Sequence, residues 1–145
     1  MKVDPFNLKR FLEAQEGIYP TVLAELQAGR KRTHWMWFIF PQAIGLGHSV
    51  LSQHYAIHSR AEANAYLSHP VLGERLQACT QAVLALENTA VSAIFGHPDD
   101  LKFHASMTLF TRVEPGDTVF QQALDAYFGG QNHAGTTRIL TTWHE

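Results

Sequence analysis

The sequence predicts an all-α fold: a compact single-domain bundle of about six to eight mostly short helices. Three observations predict it. Leu72, Leu76, Cys79, Val83 and Leu86 recur at helical spacing, the clearest stripe in the chain. Proline, glycine and capping residues cut the remainder into short amphipathic pieces. No alternation of strands with crossover helices occurs, which argues against a doubly wound sheet. A length of 145 residues, 46% apolar and 17% charged, suits one globular domain over 1–145. Its tail, 131–145, is expected to be partly docked and frayed at its last residues, 141–145.

Asp4-Pro5 reads as an N-cap followed by proline at the first helical position. Leu8, Phe11, Leu12 and Gln15 then share one face, and Gly17 ends the helix. Pro20 opens a second helix with Val22, Leu23 and Leu26 inward and Gly29 as its stop. Arg30-Lys31-Arg32 follows at its negative dipole end, where cations are favourable. Residues 43–52, with Gly45 and Gly47, read as a loop, and 53–58 are ambiguous. Ser59-Arg60-Ala61-Glu62 matches the capping box and predicts a helix from Arg60 to Ser68. Pro70 opens the striped helix, where Cys79 is a small buried hydrophobe rather than a nucleophile. Thr89 caps a short helix ending at Gly96. Residues 101–110 fit two patterns. Their apolar-polar alternation is that of a strand, whereas Phe103, Met107 and Phe110 also share a helical face. Asp117 caps a last strong helix carrying Phe120, Leu124 and Phe128, stopped by Gly129-Gly130. Ile139 and Leu140 form a docking turn.

The chain is organised around residues 30–42. Three cations lead into six apolar residues, Trp35 to Phe40, with His34 at the junction and Pro41-Gln42 behind. Two indoles and two phenyl rings in so short a run require burial. The run has no periodicity that types it, and it is far too short to span a membrane.

Bulk properties narrow the function. A net charge of −2 and a pI near 6.5 give no electrostatic reason to expect nucleic-acid or anionic-membrane binding. The single cysteine excludes an internal disulfide and a cysteine-rich zinc site. His54 and His58 have i,i+4 spacing, but no carboxylate accompanies them in the usual motif, so no metal and no cofactor is expected. The first residues lack a signal-peptide stretch, and the expected location is cytoplasmic.

The string Lys31-Arg32-Thr33-His34-Trp35-Met36-Trp37-Phe38-Ile39-Phe40-Pro41-Gln42 resembles a family of small bacterial and fungal proteins of unknown function, sometimes mislabelled "calpastatin". The match extends to Asp4-Pro5-Phe6, Tyr55-Ala56-Ile57, His69-Pro70-Val71-Leu72-Gly73, Phe95-Gly96, Pro98-Asp99-Asp100-Leu101-Lys102-Phe103 and Ser106-Met107-Thr108-Leu109-Phe110. It covers about residues 4 to 130. The resemblance implies an all-helical fold and so resolves 100–110 as a helix. Where members of that family commonly carry two serines before Met107, this chain has Ala105-Ser106, leaving one hydroxyl. The order of elements is also loosely similar to the NADAR group, small helical proteins acting on ADP-ribose-type N-glycosides. That likeness is at the level of fold alone.

The candidate site lies where the 31–42 and 96–108 segments meet. On a helix Asp99, Lys102 and Ser106 share a face. Asp99 or Asp100 would stabilise positive charge developing on a sugar, with His34 as a further catalytic candidate at the end of the buried run. Lys31 or Lys102 would hold an anionic group, Trp35 or Trp37 would stack on a base, and Gln42 and Ser106 complete the ligand set. The expected partner is therefore a small molecule, a nucleotide-derived N-glycoside, with no protein partner specified. The alternative is a non-catalytic interaction module whose polar string only caps and braces helices.

Overall fold

A computed structural model describes residues 3–143 and contains ten helices among them, with no strand. The excess over the expected count comes from two single-turn elements, too short to display a period, α3 (Met36–Ile39) and α4 (Val50–His54). The short helix expected before Gly96 is α7 (Val91–Phe95). The longer elements are α1 (Lys9–Gln15), α2 (Tyr19–Gln27), α5 (Arg60–Ser68), α6 (Leu72–Leu84), α8 (Asp99–Val113), α9 (Val119–Phe128) and α10 (Ala134–Leu140).

Several boundaries follow from caps. The Asp4 carboxylate accepts the N–H groups of Leu8 (2.8 Å) and Lys9 (3.0 Å), so α1 starts later than a cap at Asp4 itself would place it. Ser49 caps α4, which converts the end of the expected 43–52 loop into a helical turn. Ser59 caps α5 by accepting the Glu62 N–H at 3.0 Å, as the capping box predicts. α6 starts at Leu72, two residues past Pro70. Ala90, not Thr89, precedes α7, and the Thr89 hydroxyl instead donates to the Glu87 carbonyl. Thr118, rather than Asp117, caps α9. His133 caps α10 through Nδ1, which accepts the Thr136 N–H at 3.1 Å. His54 ends α4 and His58 lies beyond it, past a single parallel bridge between Ala43 and Ile57, so the two do not share one helix face. Of the expected frayed end, residues 144–145 lie outside the described residues, and Trp143 is half-buried against the core.

α8 is the central element, packed by α5, α7, α9 and α10. Phe103 and every residue from Ala105 to Thr111 are buried. This explains the conflict in its sequence. A helix enclosed on all sides loses its amphipathic stripe, and Ser106 and Thr108, polar by composition, are inside. α6 lies beside it against α2, α5 and α9, burying Leu72, Leu76, Cys79 and Val83 as its stripe predicts. The 35–40 run is buried except for Trp37, which is half-exposed. Phe40 meets Phe103 edge-on at 5.0 Å and Phe95 at 5.8 Å, while Phe95 stacks on Phe103 at 4.7 Å. Each buried ring contributes about 1.5–3 kcal/mol. This trio carries the end of the central run onto the first turns of α8, and with it the residues just upstream. No helix among the described residues is long and apolar enough to cross a membrane.

Candidate functional site

The cationic loop between α2 and α3 has its shape imposed by one carboxylate. Glu25, on the inward face of α2, is only 7% exposed. It accepts hydrogen bonds from the backbone N–H groups of Arg32 (2.7 Å) and Thr33 (3.1 Å), the Thr33 hydroxyl (2.7 Å) and the Trp35 indole N–H (2.9 Å). Burial alone would raise its pKa. The donors outweigh burial and hold the carboxyl at about 2, so it stays ionised. Glu25 is absent from the sequence-predicted set. Its one signal was a lone carboxylate between Val22 and Leu26 on an apolar helix face.

With the loop so fixed, the Lys31 N–H donates to the Ile94 carbonyl at 2.7 Å, and its side chain reaches the start of α8. Lys31 Nζ lies 3.0 Å from Asp99 Oδ2, and Lys102 Nζ lies 3.3 Å from Asp99 Oδ1. One carboxylate is thus shared by two ammonium groups, a lysine on each oxygen. The Lys31 side chain is 9% exposed, that of Asp99 20% and that of Lys102 24%. Each ammonium also sits over an indole, Lys31 5.2 Å from Trp35 and Lys102 5.1 Å from Trp37. Two cations against one anion leave the cluster net positive on a chain whose total charge is negative.

The structure therefore brings together Lys31, Asp99, Lys102, Trp35 and Trp37 from the sequence-predicted set. The remaining four, Asp100, His34, Gln42 and Ser106, take no part in the cluster's ion pairs, and the two indoles differ in access. Trp35 is 1% exposed with its N–H given to Glu25, so its rings serve the core and offer no face to a ligand; Trp37 is the half-exposed indole. Asp100 accepts the Leu101 N–H at 2.9 Å and faces His97 Nδ1 at 3.1 Å, bonds that place it in the first turn of α8 as a capping group. His34 is exposed on the loop and takes no part in the ion pairs of the cluster. Gln42 is half-buried, and its carbonyl accepts the Ile57 N–H at 2.9 Å. Ser106 lies one turn beyond Lys102, fully buried, with a hydroxyl that has no hydrogen-bond partner. The larger clefts described lie away from this junction. One of about 560 Å³ lies elsewhere, between α6 and α9, lined by Gln77, Gln81, Glu114 and Phe120. No group of three or more metal-ligating residues converges among the described residues.

Fold and site together define a small all-helical protein with a lysine–carboxylate–lysine cluster beside tryptophan, assembled from the α2–α3 loop and the start of α8. The chain belongs to the DUF1810 family, described as a protein of unknown function, whose model matches residues 5–140. A solved structure, that of the conserved hypothetical protein Rv1873 from Mycobacterium tuberculosis, is 49% identical to it. The match covers 96% of this chain and 99% of that one, with a TM-score of 0.94. No curated protein matches.

Proposed function

We propose that this chain is a cytoplasmic small-molecule enzyme or binder that takes a nucleotide-derived, ADP-ribose-like N-glycoside at the Lys31–Asp99–Lys102 cluster. The observation that carries the proposal is the sharing of one partly buried carboxylate by two lysines beside a half-exposed indole. Such a group is suited to an anionic ligand that also bears a flat ring. The lysines hold the phosphoryl oxygens, Trp37 stacks on the base, and Asp99 stands by the sugar. Hydrolysis breaks the anomeric C–N bond, water adding to the sugar carbon and its second proton leaving with the base. Asp99 opposes the positive charge that builds up on the ring oxygen and anomeric carbon. The reading draws on the loose NADAR likeness for its substrate class and on the charge arrangement for its site. The single free cysteine, buried in the core, accords with a reducing compartment.

The test is a thermal-shift panel of nucleotides and ADP-ribose derivatives, run on the native chain, Asp99→Asn and Lys102→Ala. A ligand at 100 times its dissociation constant adds about 2.7 kcal/mol, roughly 5–10 °C here. A shift present in the native chain and absent in folded Lys102→Ala supports the site, and a turnover assay then asks whether Asp99→Asn, which still binds, has lost the reaction. No shift with any compound defeats it.

A second reading is favoured by the burial of Lys31: the ion pair braces the α2–α3 loop to α8 without any ligand. On that reading Asp99→Asn lowers the melting temperature markedly and no compound shifts either protein.

A further inference from the structure

We propose that the site is gated by ion exchange: the anionic group of an incoming ligand draws Lys102 off Asp99, so that the carboxylate is bared only when the site is occupied. This rests on the ligand site proposed above and assigns different tasks to the two lysines.

The asymmetry of the cluster carries the argument. Lys31 is fixed. Its N–H is bonded to Ile94, the next two residues are tied to Glu25, and its side chain is nine-tenths buried against Asp99 and Trp35. Lys102 is held by the longer bond, at i,i+3 on its own helix, and by the half-exposed Trp37 ring, with the more exposed side chain of the two. A pair of that type, between neighbours on one helix face, is weak, so exchanging its partner costs little. Phosphoryl oxygens accept charge-assisted bonds from an ammonium at about 2.7–2.9 Å, shorter than the 3.3 Å that Lys102 keeps to Asp99.

Charge makes the exchange directional. A phosphoryl group placed against the intact cluster would meet the negative Asp99. Turning Lys102 outward moves the bound anion away from the carboxylate and leaves Asp99 paired with Lys31 alone. One oxygen of Asp99, the one Lys102 had covered, then faces the ligand. Recognition of the charged end thus switches on the group that stabilises the cation, and binding energy remote from the reacting bond is used at that bond. Trp37 registers the movement directly, because the Lys102 ammonium lies over its ring.

The experiment titrates the Trp143→Phe protein with sodium pyrophosphate at constant ionic strength, following tryptophan fluorescence. Expected is a saturable change that is lost in Trp37→Phe. Lys102→Met, which keeps the stem and removes the charge at a half-buried position, weakens binding about tenfold. Asp99→Asn, which removes the competing anion, tightens it about threefold. Weaker binding in Asp99→Asn, or a signal no different from chloride, overturns the exchange. The arms separate this failure from that of the site itself. If uncharged nucleosides raise the melting temperature of the native chain but not of Trp37→Ala while pyrophosphate is silent, the site stands and the gate falls. If neither probe acts, both fall.

Discussion

Replacing Glu25 by Gln tests how the α2–α3 loop is held. The carboxylate accepts four hydrogen bonds from Arg32, Thr33 and Trp35. Its carboxyl is held at about 2 against an ordinary 4.5. At 1.36 kcal/mol per unit that difference corresponds to about 3 kcal/mol, and solvent screening of a group lying just below the surface trims it to about 2. A carboxyl held below its unfolded value stabilises the fold fully above pH 4.5, and that contribution drains away as the pH falls from 4.5 towards 2. The amide keeps one acceptor but turns an N–H₂ group towards donors. Glu25→Gln should therefore cost about 2 kcal/mol at neutral pH, roughly 5–8 °C in melting temperature. The gap should close on acidification, because the native protein loses the same contribution there. The assay is a set of thermal melts and urea titrations between pH 2 and 7 for both proteins. A variant that melts within about 1 °C of the native chain at pH 7, or a gap unchanged down to pH 2, would refute the view that this carboxylate organises the loop.

Three further outcomes are expected. A Cβ on Gly73 would collide with the Leu67 carbonyl oxygen, a backbone atom that cannot swing aside as the end of a side chain can, so Gly73→Ala should lose about 3 kcal/mol or more in urea titration. The orphaned hydroxyl of Ser106 costs stability, and Ser106→Ala should gain about 1 kcal/mol; a loss instead would mean the hydroxyl has a partner in solution. The His133 imidazole is held below its ordinary pKa of 6.5, by burial first and then by His104, 5.4 Å away ring to ring. Unfolded chains take up the proton first, so stability is complete above pH 6.5 and falls as pH drops through that value towards the lowered one. His133→Asn, which retains a capping acceptor for α10, should flatten the melting temperature between pH 7 and 5.

What was legible in the sequence follows from what local order can encode. The α6 stripe was visible because one side of that helix faces solvent and the other the core. Ser59 and Glu62 announced α5 because capping is a matter of neighbouring residues. α8 was ambiguous from pattern alone, and only the family resemblance resolved it, because burial on every side removes the period. The meeting of Lys31 with Asp99 depends on Phe40 reaching Phe95 and Phe103, a packing event that no local spacing reports. The opposite fates of two neighbouring indoles, Trp35 sealed and Trp37 half-open, are set by Glu25 across the loop. Asp99 and Asp100 are equivalent in the string, yet the rotation of about 100° between successive helical residues directs Asp100 to the Leu101 N–H instead of the lysines.

The enclosure of α8 has a consequence for how the molecule breathes. Amides from Phe103 to Thr111 sit where no partial opening reaches them, so their hydrogens should exchange with deuterium only when the entire chain unfolds. Asp99 and Lys102 are mounted on the first turns of that slow-exchanging rod. Lys31 comes from a loop held by its own bond to the Ile94 carbonyl and by the bonds of Arg32 and Thr33 to the Glu25 side chain. Backbone slack between the two halves of the cluster, as distinct from the turning of the Lys102 side chain, then originates on the loop side, and the exchange rates of the Arg32 and Thr33 amides would measure it.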